Sequence, residues 1–221
     1  MGAGQFLGEC PRAGGGVVST AATMLGEMPV ADLSLNELSR RVGLAKSNVL
    51  RYFETREAVL LELYDTACKA WLDRLDATLP PPSAGGDLRT RYERVAAVLT
   101  ASLAADPLTC ELISVSASVL ERNVSPEVAR RHKLASTAHV ERMAAQLRSS
   151  LPELSGNAAV RAAVGTLLSV GGLWPVTNPT EAMLRVYEDP EMARLRVDFP
   201  TALEEIVSVI LAGCLSRWPS T

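Results

Sequence analysis

Four neighbouring residues near the end of the N-terminal quarter, residues 45–48, have groups suited to reading the edges of DNA bases. Lys46 offers a cation for guanine or for a phosphate, and Asn48 offers an amide that matches adenine. Ala45 and Ser47 are small and allow a close approach. An ordinary helical hairpin with a polar outer face would contain the same residue types, so their spacing alone leaves both interpretations open.

The elements that must position these residues are two short helices joined by a glycine turn, within S-L-N-E-L-S-R-R-V-G-L-A-K-S-N-V-L-R-Y-F, residues 34–53. Ser34 is a suitable N-cap, and Glu37 predicts a capping box. Gly43 supplies the left-handed residue that ends the first helix, and the second is predicted over 45–53. Its inward-facing residues are predicted to be Leu44, Val49 and Phe53. The pattern is typical of a helix-turn-helix, whose second helix enters the major groove.

The string G-L-A-K-S-N-V-L-R-Y-F-E-T-R-E-A-V-L, residues 43–60, resembles the signature of the tetracycline-repressor family of bacterial transcriptional regulators. The resemblance is specific over residues 17–63, and beyond them only the helical layout and chain length agree. It implies an all-α fold with an N-terminal three-helix domain over 1–54 that binds DNA. It also implies a C-terminal helical domain over 55–221 that binds a small effector and dimerises.

The same resemblance implies roles for individual residues. Tyr52 and Arg56 match positions that hold phosphates, whereas Leu50 departs from the tyrosine usual in the family. A leucine cannot donate a hydrogen bond, so that interaction is either lost or replaced by Arg51, although leucine can pack against a thymine methyl. The residues predicted to contact DNA are Ser34, Ala45, Lys46, Ser47, Asn48, Arg51, Tyr52 and Arg56.

Composition narrows the classes of protein that this chain can represent. A net charge of −3 over 221 residues argues against a protein that coats nucleic acid, but a local basic patch is enough for a sequence-specific reader. Such a patch is expected around the helix-turn-helix, unless its nearby carboxylates make it an ordinary solvated face. The residues of this patch are Arg40, Arg41, Lys46, Arg51 and Arg56.

Other sequence features indicate no cofactor, metal site, membrane span or enzymatic activity. The four cysteines are far apart and predict reduced thiols in a cytoplasmic protein. His132 and His139 lie about 10 Å apart on one predicted helix, too far to share a metal ion. No apolar run is predicted to reach the length of a membrane span, and no catalytic motif is present.

The rest of the chain is predicted to be helical apart from residues 1–16, which we expect to be disordered or to lead loosely into the first helix. Apolar helices over 157–174 and 199–217 are predicted to form a four-helix bundle with a second copy, although both could instead bury within one subunit. The other helices are predicted over 16–26, 55–79, 87–105, 108–122, 126–151 and 180–187.

An effector pocket is predicted among the helices between residues 87 and 174. Each candidate lining residue could instead serve the structure of its helix, so the sequence does not decide between ligand binding and a structural role. The candidates are Cys110, Ser114, His139, Met143 and Trp174.

The sequence therefore predicts a ligand-responsive repressor that binds a palindromic operator as a homodimer and is released by a small, largely apolar effector. One alternative is a helical ligand-binding or protein-interaction module whose helix-turn-helix no longer reads DNA, and a second is a helical enzyme. The effector, the operator, the controlled genes and the sign of regulation stay open at this level.

Overall fold

The computed structural model describes residues 10–116 and 120–217, with side chains from residue 14 onward. These residues form α-helices and short 3-10 turns and no strand, which confirms the all-α prediction. The α-helices are α1 (Cys10–Leu25), α2 (Leu35–Val42), α3 (Lys46–Leu50), α4 (Arg56–Thr78), α5 (Leu88–Ala104), α6 (Pro107–Ser116), α7 (Pro126–Ser150), α8 (Gly156–Thr177), α9 (Glu181–Val186), α10 (Pro190–Ala193) and α11 (Phe199–Arg217).

The helix-turn-helix is set by local signals at its ends. The Ser34 hydroxyl accepts the backbone N–H of Glu37 at 3.2 Å, so the predicted N-cap of α2 is confirmed. The Glu37 carboxylate binds Arg40 and Arg41. Gly43 has φ 74°, the left-handed conformation that ends α2 and turns the chain into α3.

Several predicted helix ends were wrong. α1 already begins at Cys10, so residues 10–16 are helical, while the prediction for residues 1–9 lies outside the described part of the chain. α8 continues past Pro175 to Thr177, where the backbone N–H and the side-chain amide of Asn178 both donate to the Trp174 carbonyl and close the last turn. The observed α3 is shorter than the predicted 45–53, and α6 stops before the predicted residue 122.

The chain divides into two compact units. The first unit contains residues 1–67 and 115–134, and the second contains residues 68–114 and 135–221. The division after Ala67 falls inside α4, and the domain boundary predicted at 54/55 stays a prediction. The first unit buries apolar side chains from α1, α2, α3 and the start of α4, among them Met24, Leu38, Val49 and Leu60.

Two helices of the second unit are more apolar than we predicted from the sequence. α8 and α11 have mean hydropathies of 1.3 and 1.5 over their most apolar stretches, enough to cross a membrane by length and composition alone. The prediction that no segment reaches that length was wrong, because it considered only uninterrupted apolar runs. Small polar residues and glycines interrupt α8 without lowering its average hydropathy far. Only 33% of the apolar stretch of each helix is buried within the structure, so both helices retain exposed apolar surface.

Candidate nucleic-acid interface

α3 is held in the first unit by its apolar side. Val49 is completely buried, and Phe53 just beyond the helix is nearly so. α3 contacts α2, whose Leu38 is also fully buried. Because these side chains fix the inward face, the opposite face points into solvent. The residues exposed there are Ala45, Lys46, Ser47, Asn48, Leu50 and Arg51. The outward face and the inward positions of Val49 and Phe53 are as predicted, whereas Leu44 is only half-buried.

The cations of α2 are already paired within the protein. Arg40 donates to the Glu37 carboxylate at 2.6 and 2.9 Å, and Arg41 donates to the same carboxylate at 3.0 Å and also pairs with Glu27. These hydrogen bonds from Arg40 and Arg41 lower the pKa of Glu37 to about 2. The carboxylates thus offset the charge of α2, as the solvated-face interpretation expected.

Lys46 and Arg51 differ from the α2 arginines. Both are exposed, and neither has an ion-pair or hydrogen-bond partner among the side chains that the structure describes. Their charges therefore remain available to an external anion. The basic patch predicted from five residues is reduced to these two at the surface of α3.

Arg56 is committed to the protein backbone. Its Nη1 donates to the carbonyl oxygens of Ala31 and Leu33 at 3.1 Å each and reaches that of Val30 at 3.5 Å. Its Nη2 pairs with Glu57 at 3.1 Å. The guanidinium thus ties the start of α4 to the link that precedes α2. Its predicted phosphate contact is untested, and the observed bonds describe a positioning role.

The remaining predicted contacts are partly accessible. Ser34 is exposed, but its hydroxyl is the acceptor that caps α2. Tyr52 is half-buried beside α3. Leu50 is 43% exposed, which leaves an apolar side chain on an otherwise polar surface. Their predicted contacts with DNA stay predictions.

Residues 120–134 belong to the first unit, which the sequence analysis did not anticipate. The Glu54 carboxylate, one residue after Phe53, accepts the backbone N–H of Ser125 at 2.6 Å. The ring of His132 packs edge-on against Tyr64 of α4, with centroids 5.1 Å apart. Contacts so distant in sequence leave no periodic signal that would predict them.

His132 is a buried ionisable group of the first unit. Its Nε2 lies 3.4 Å from the Glu121 carboxylate. Burial lowers the pKa of His132, while Glu121 and Asp65 favour its charged form and Lys133 opposes it. Burial dominates, so the neutral imidazole is the favoured form in the folded protein.

Trp174 is the predicted effector residue that lines a described cavity. Its indole Nε1 donates to the Glu111 carboxylate at 2.7 Å, and its ring packs edge-on against Phe199 at a centroid distance of 5.0 Å. The adjoining cavity has a volume of about 420 Å³. Its wall also includes Thr177, Asn178, Arg196 and Phe199.

The other predicted effector residues are built into the second unit. Cys110 is fully buried, its thiol bonds to the Leu103 carbonyl at 3.3 Å, and burial raises its pKa to about 12. Met143 is also fully buried. Ser114 and His139 are half-buried, and the Ser114 hydroxyl donates to the Glu111 carbonyl at 2.7 Å. These positions leave their predicted role in ligand binding untested.

Two buried hydroxyl groups of the second unit were not predicted from the sequence. The hydroxyls of Thr100 and Thr109 are buried and have no hydrogen-bond partner among the residues that the structure describes. An unsatisfied buried hydroxyl costs about 1–3 kcal/mol. No signal in the sequence separates them from other helix threonines. In the same described residues, no cluster of three histidine, cysteine or carboxylate side chains could hold a metal ion.

Comparison with known proteins identifies the class. Residues 65–217 match the family described as tetracyclin repressor-like, C-terminal domain. The match covers more than half of the chain, so the chain belongs to the tetracycline-repressor family of transcriptional regulators, as the residues around α3 predicted. Regulators of this family are DNA-binding transcription factors, typically responsive to ligands, and are not enzymes.

Individual relatives are more distant. Over 49 residues the chain is 37% identical to the HTH-type transcriptional regulator EthR of Mycobacterium tuberculosis H37Rv, an alignment that spans 22% of this chain and 23% of that relative. A TetR transcriptional regulator from Rhodococcus sp. RHA1 shares the fold with a TM-score of 0.58 and 13% identity, covering 94% of this chain and 97% of that one. FadR from Bacillus subtilis, in complex with stearoyl-CoA, has a TM-score of 0.54 and 12% identity, with 90% and 97% covered.

Proposed function

We propose that this protein is a repressor that binds a palindromic operator as a homodimer and releases it when a small, largely apolar effector binds. The observation that carries the proposal is the outer face of α3, which exposes Lys46, Ser47 and Asn48 while Val49 and Phe53 anchor it from behind. A lysine and an asparagine on such a face can bond guanine and adenine in the major groove. As a DNA-binding regulator, it would act in the cytoplasm.

The charge distribution supports a specific reader with few phosphate contacts. Lys46 and Arg51 are the α3 cations without a partner among the described residues. Arg51 as a phosphate contact gives two such contacts per dimer, and Lys46 raises this number to four where it binds a phosphate rather than guanine. Each neutralised phosphate makes the slope of log affinity against log salt concentration more negative by about 0.9. We therefore expect a slope between about −2 and −4, shallow for an operator-binding dimer.

The dimer is proposed to form through α8 and α11. α11 packs on α8, and the two helices approach closely where a Cβ atom at Gly165 would lie 3.2 Å from Ile210. Away from that contact, α8 exposes Val160, Val164 and Leu168, which are four residues apart and share one side of the helix. On α11, Ile206 and Val209 are exposed in the same way. We call these five residues the dimer face.

An exposed apolar face of this kind is typical of a protein interface. Pairing it with its symmetry mate would form a four-helix bundle and hold two α3 helices for successive major grooves, about 34–36 Å apart. It would also account for the apolar character of α8 and α11 without a membrane. Two-fold symmetry fits because the same face serves both partners.

The effector is proposed to bind in the second unit. The cavity of about 420 Å³ beside Trp174 is within the range of small-molecule sites, which measure about 300–1,000 Å³. A long-chain fatty acid is a suitable first probe of a small apolar effector, because FadR of B. subtilis shares the fold and is in complex with stearoyl-CoA, whose acyl chain is apolar.

The proposal is tested by selecting DNA from a random library with the full-length protein at two salt concentrations. Enrichment of a palindrome supports it, with weaker binding at the higher salt and loss of enrichment in Lys46→Ala. Lys69→Ala is a matched control, because it removes an exposed lysine of α4 far from α3 in the sequence. Normal enrichment by Lys46→Ala would show that Lys46 has been assigned wrongly.

The alternative is a ligand-binding or protein-interaction module that no longer reads DNA. The observation in its favour is the exposed Leu50 on α3, together with the small number of available cations. Absence of any enriched sequence at either salt concentration would favour this alternative. Dimer formation and effector binding would then have to be measured independently of DNA.

A further inference from the structure

The segment that connects α8 to α11 lacks buried side chains. We call residues 178–198, which include α9 and α10, the arm. All of its residues are described, and none of them is buried, whereas Trp174 before it and Phe199 after it are. The arm nevertheless has regular structure: the Thr180 side chain caps α9, and the Asp189 side chain caps α10.

Helices as short as those of the arm are not stable by themselves. α9 has six residues and α10 has four, whereas isolated helices in water are marginal below about 12–15 residues. In proteins such helices depend on packing of an apolar face. The arm has apolar side chains for this purpose, and they are exposed: Met183, Leu184, Val186 and Leu195, the last at 58%. Their own subunit covers the arm only in part, since Tyr187, Met192 and Val197 are half-buried while these four side chains stay exposed.

The position of the arm indicates which surface covers it. The arm leaves the C-terminal end of α8 and enters the N-terminal end of α11, so it is continuous with both helices of the dimer face. Val176, in the last turn of α8, is 51% exposed and extends the apolar surface from the dimer face towards the arm. We propose that the arm packs against a second copy of this chain and extends the α8–α11 interface. The proposal rests on the dimer proposed above.

The area of apolar surface supports a second copy as the occupant. The exposed fractions of the five dimer-face side chains correspond to roughly 400 Å² of apolar surface per subunit, within the ~300–600 Å² of the largest apolar patch on a typical monomer. The exposed apolar side chains of the arm and Val176 contribute roughly the same area again, which brings the total to roughly 800 Å², above that range. Apolar surface of this extent is typical of a protein interface, and the arm doubles the apolar area that a second copy would cover.

The first experiment is hydrogen exchange of the full-length protein, measured across the concentration range in which the dimer dissociates. We expect the amides of α9 and α10 to be protected in the dimer and to lose protection as it dissociates. The same loss should occur at high concentration in Leu168→Glu, which places a charge in the dimer face. Protection of the arm in a monomeric Leu168→Glu would show that its own subunit holds the arm, and would overturn the proposal.

The second experiment is sedimentation of an arm variant, Met183→Glu with Leu184→Glu. We expect its dimer dissociation constant to rise at least tenfold. The matched control is Leu134→Glu, since Leu134 on α7 is 56% exposed and lies outside the arm and the dimer face. An unchanged dissociation constant in the arm variant would contradict the proposal.

The outcomes separate the arm from the dimer itself. If Leu168→Glu dissociates the dimer and the arm variant does not, the dimer face stands and the arm proposal fails. If neither variant dissociates a dimer that the wild-type protein forms, the α8–α11 interface fails as well. If the arm becomes protected only when a different protein is present, that protein is its partner and the proposal is overturned.

Discussion

The outer surfaces of α3 and of α8 with α11 differ in what they leave exposed. α3 is a five-residue helix that exposes a lysine, a serine and an asparagine. α8 and α11 are 22 and 19 residues long and expose valine, leucine and isoleucine. A polar surface with available cations suits a charged, hydrogen-bonding partner such as DNA, whereas an apolar surface suits another apolar surface. The two surfaces therefore indicate different partners for the same chain.

The largest effect is expected when the apolar surface is charged. Leu168→Glu should separate the dimer and weaken operator binding by about 10²–10⁴-fold, because each half-site would lose the advantage of a linked partner. Measurement of operator affinity together with sedimentation would check this. Full affinity in a monomeric variant would contradict the division of roles between the two surfaces.

A smaller effect, a loss of stability, is expected when Arg56 is replaced, because this residue supports the polar surface of α3 without belonging to it. Arg56→Met should destabilise the first unit by about 1.5–3 kcal/mol, because the hydrogen bonds of a charged group to the Ala31 and Leu33 carbonyls are removed. Denaturant unfolding would measure this, and the salt dependence of operator binding should stay unchanged. A salt dependence made shallower by about 0.9 for each Arg56 removed would instead show that this side chain binds a phosphate.

Asn48 tests whether the polar surface reads sequence. Asn48→Ala should reduce discrimination at one base pair of each half-site by about 1–3 kcal/mol. Tyr52→Phe is the matched comparison, because removal of a hydroxyl that we propose to bind a phosphate should weaken binding to all sequences alike. Binding to a panel of single-base operator variants would distinguish the two. Equal losses at every position for both variants would mean that Asn48 makes no base contact.

The smallest effect is expected from pH, and it should be confined to the first unit. Since burial holds the pKa of His132 below its usual 6.5, the folded state favours the neutral imidazole. Its contribution to stability is complete above about pH 6.5 and declines as the pH falls towards the lowered pKa. Thermal unfolding at pH 7 and pH 5 should show this decline in the wild-type protein and less of it in His132→Phe. An identical decline in both would assign it to other groups.

The polar surface could be predicted from the sequence because its determinants are local. Ser34 caps α2, Gly43 takes the left-handed conformation, and Val49 and Phe53 face inward, all within twenty residues. The bonds of Arg56 to the link before α2 span more than twenty residues and could not be predicted. Neither could the hydrogen bond from Ser125 to Glu54, one of the contacts that join residues 120–134 to the first unit.

The apolar surface was predicted only in outline. Periodicity placed apolar residues on the helices over 157–174 and 199–217, but it did not tell which side would stay exposed after α8, α5 and α11 had packed. It also gave no indication that α8 would continue through Pro175 or that α10 would form. Exposure depends on which neighbours each helix acquires, and those neighbours are distant in sequence.

The DNA-reading surface of α3 and the apolar surface of α8 and α11 must act together in one dimer. The spacing of operator half-sites tests this most directly. The measurement is the affinity of the full-length protein for its selected palindrome, compared with the same palindrome carrying five extra base pairs at its centre. Five base pairs rotate one half-site by about half a helical turn relative to the other. We predict that affinity falls to that of an isolated half-site. Unchanged affinity would show that the two α3 helices are not held at a fixed spacing by a dimer.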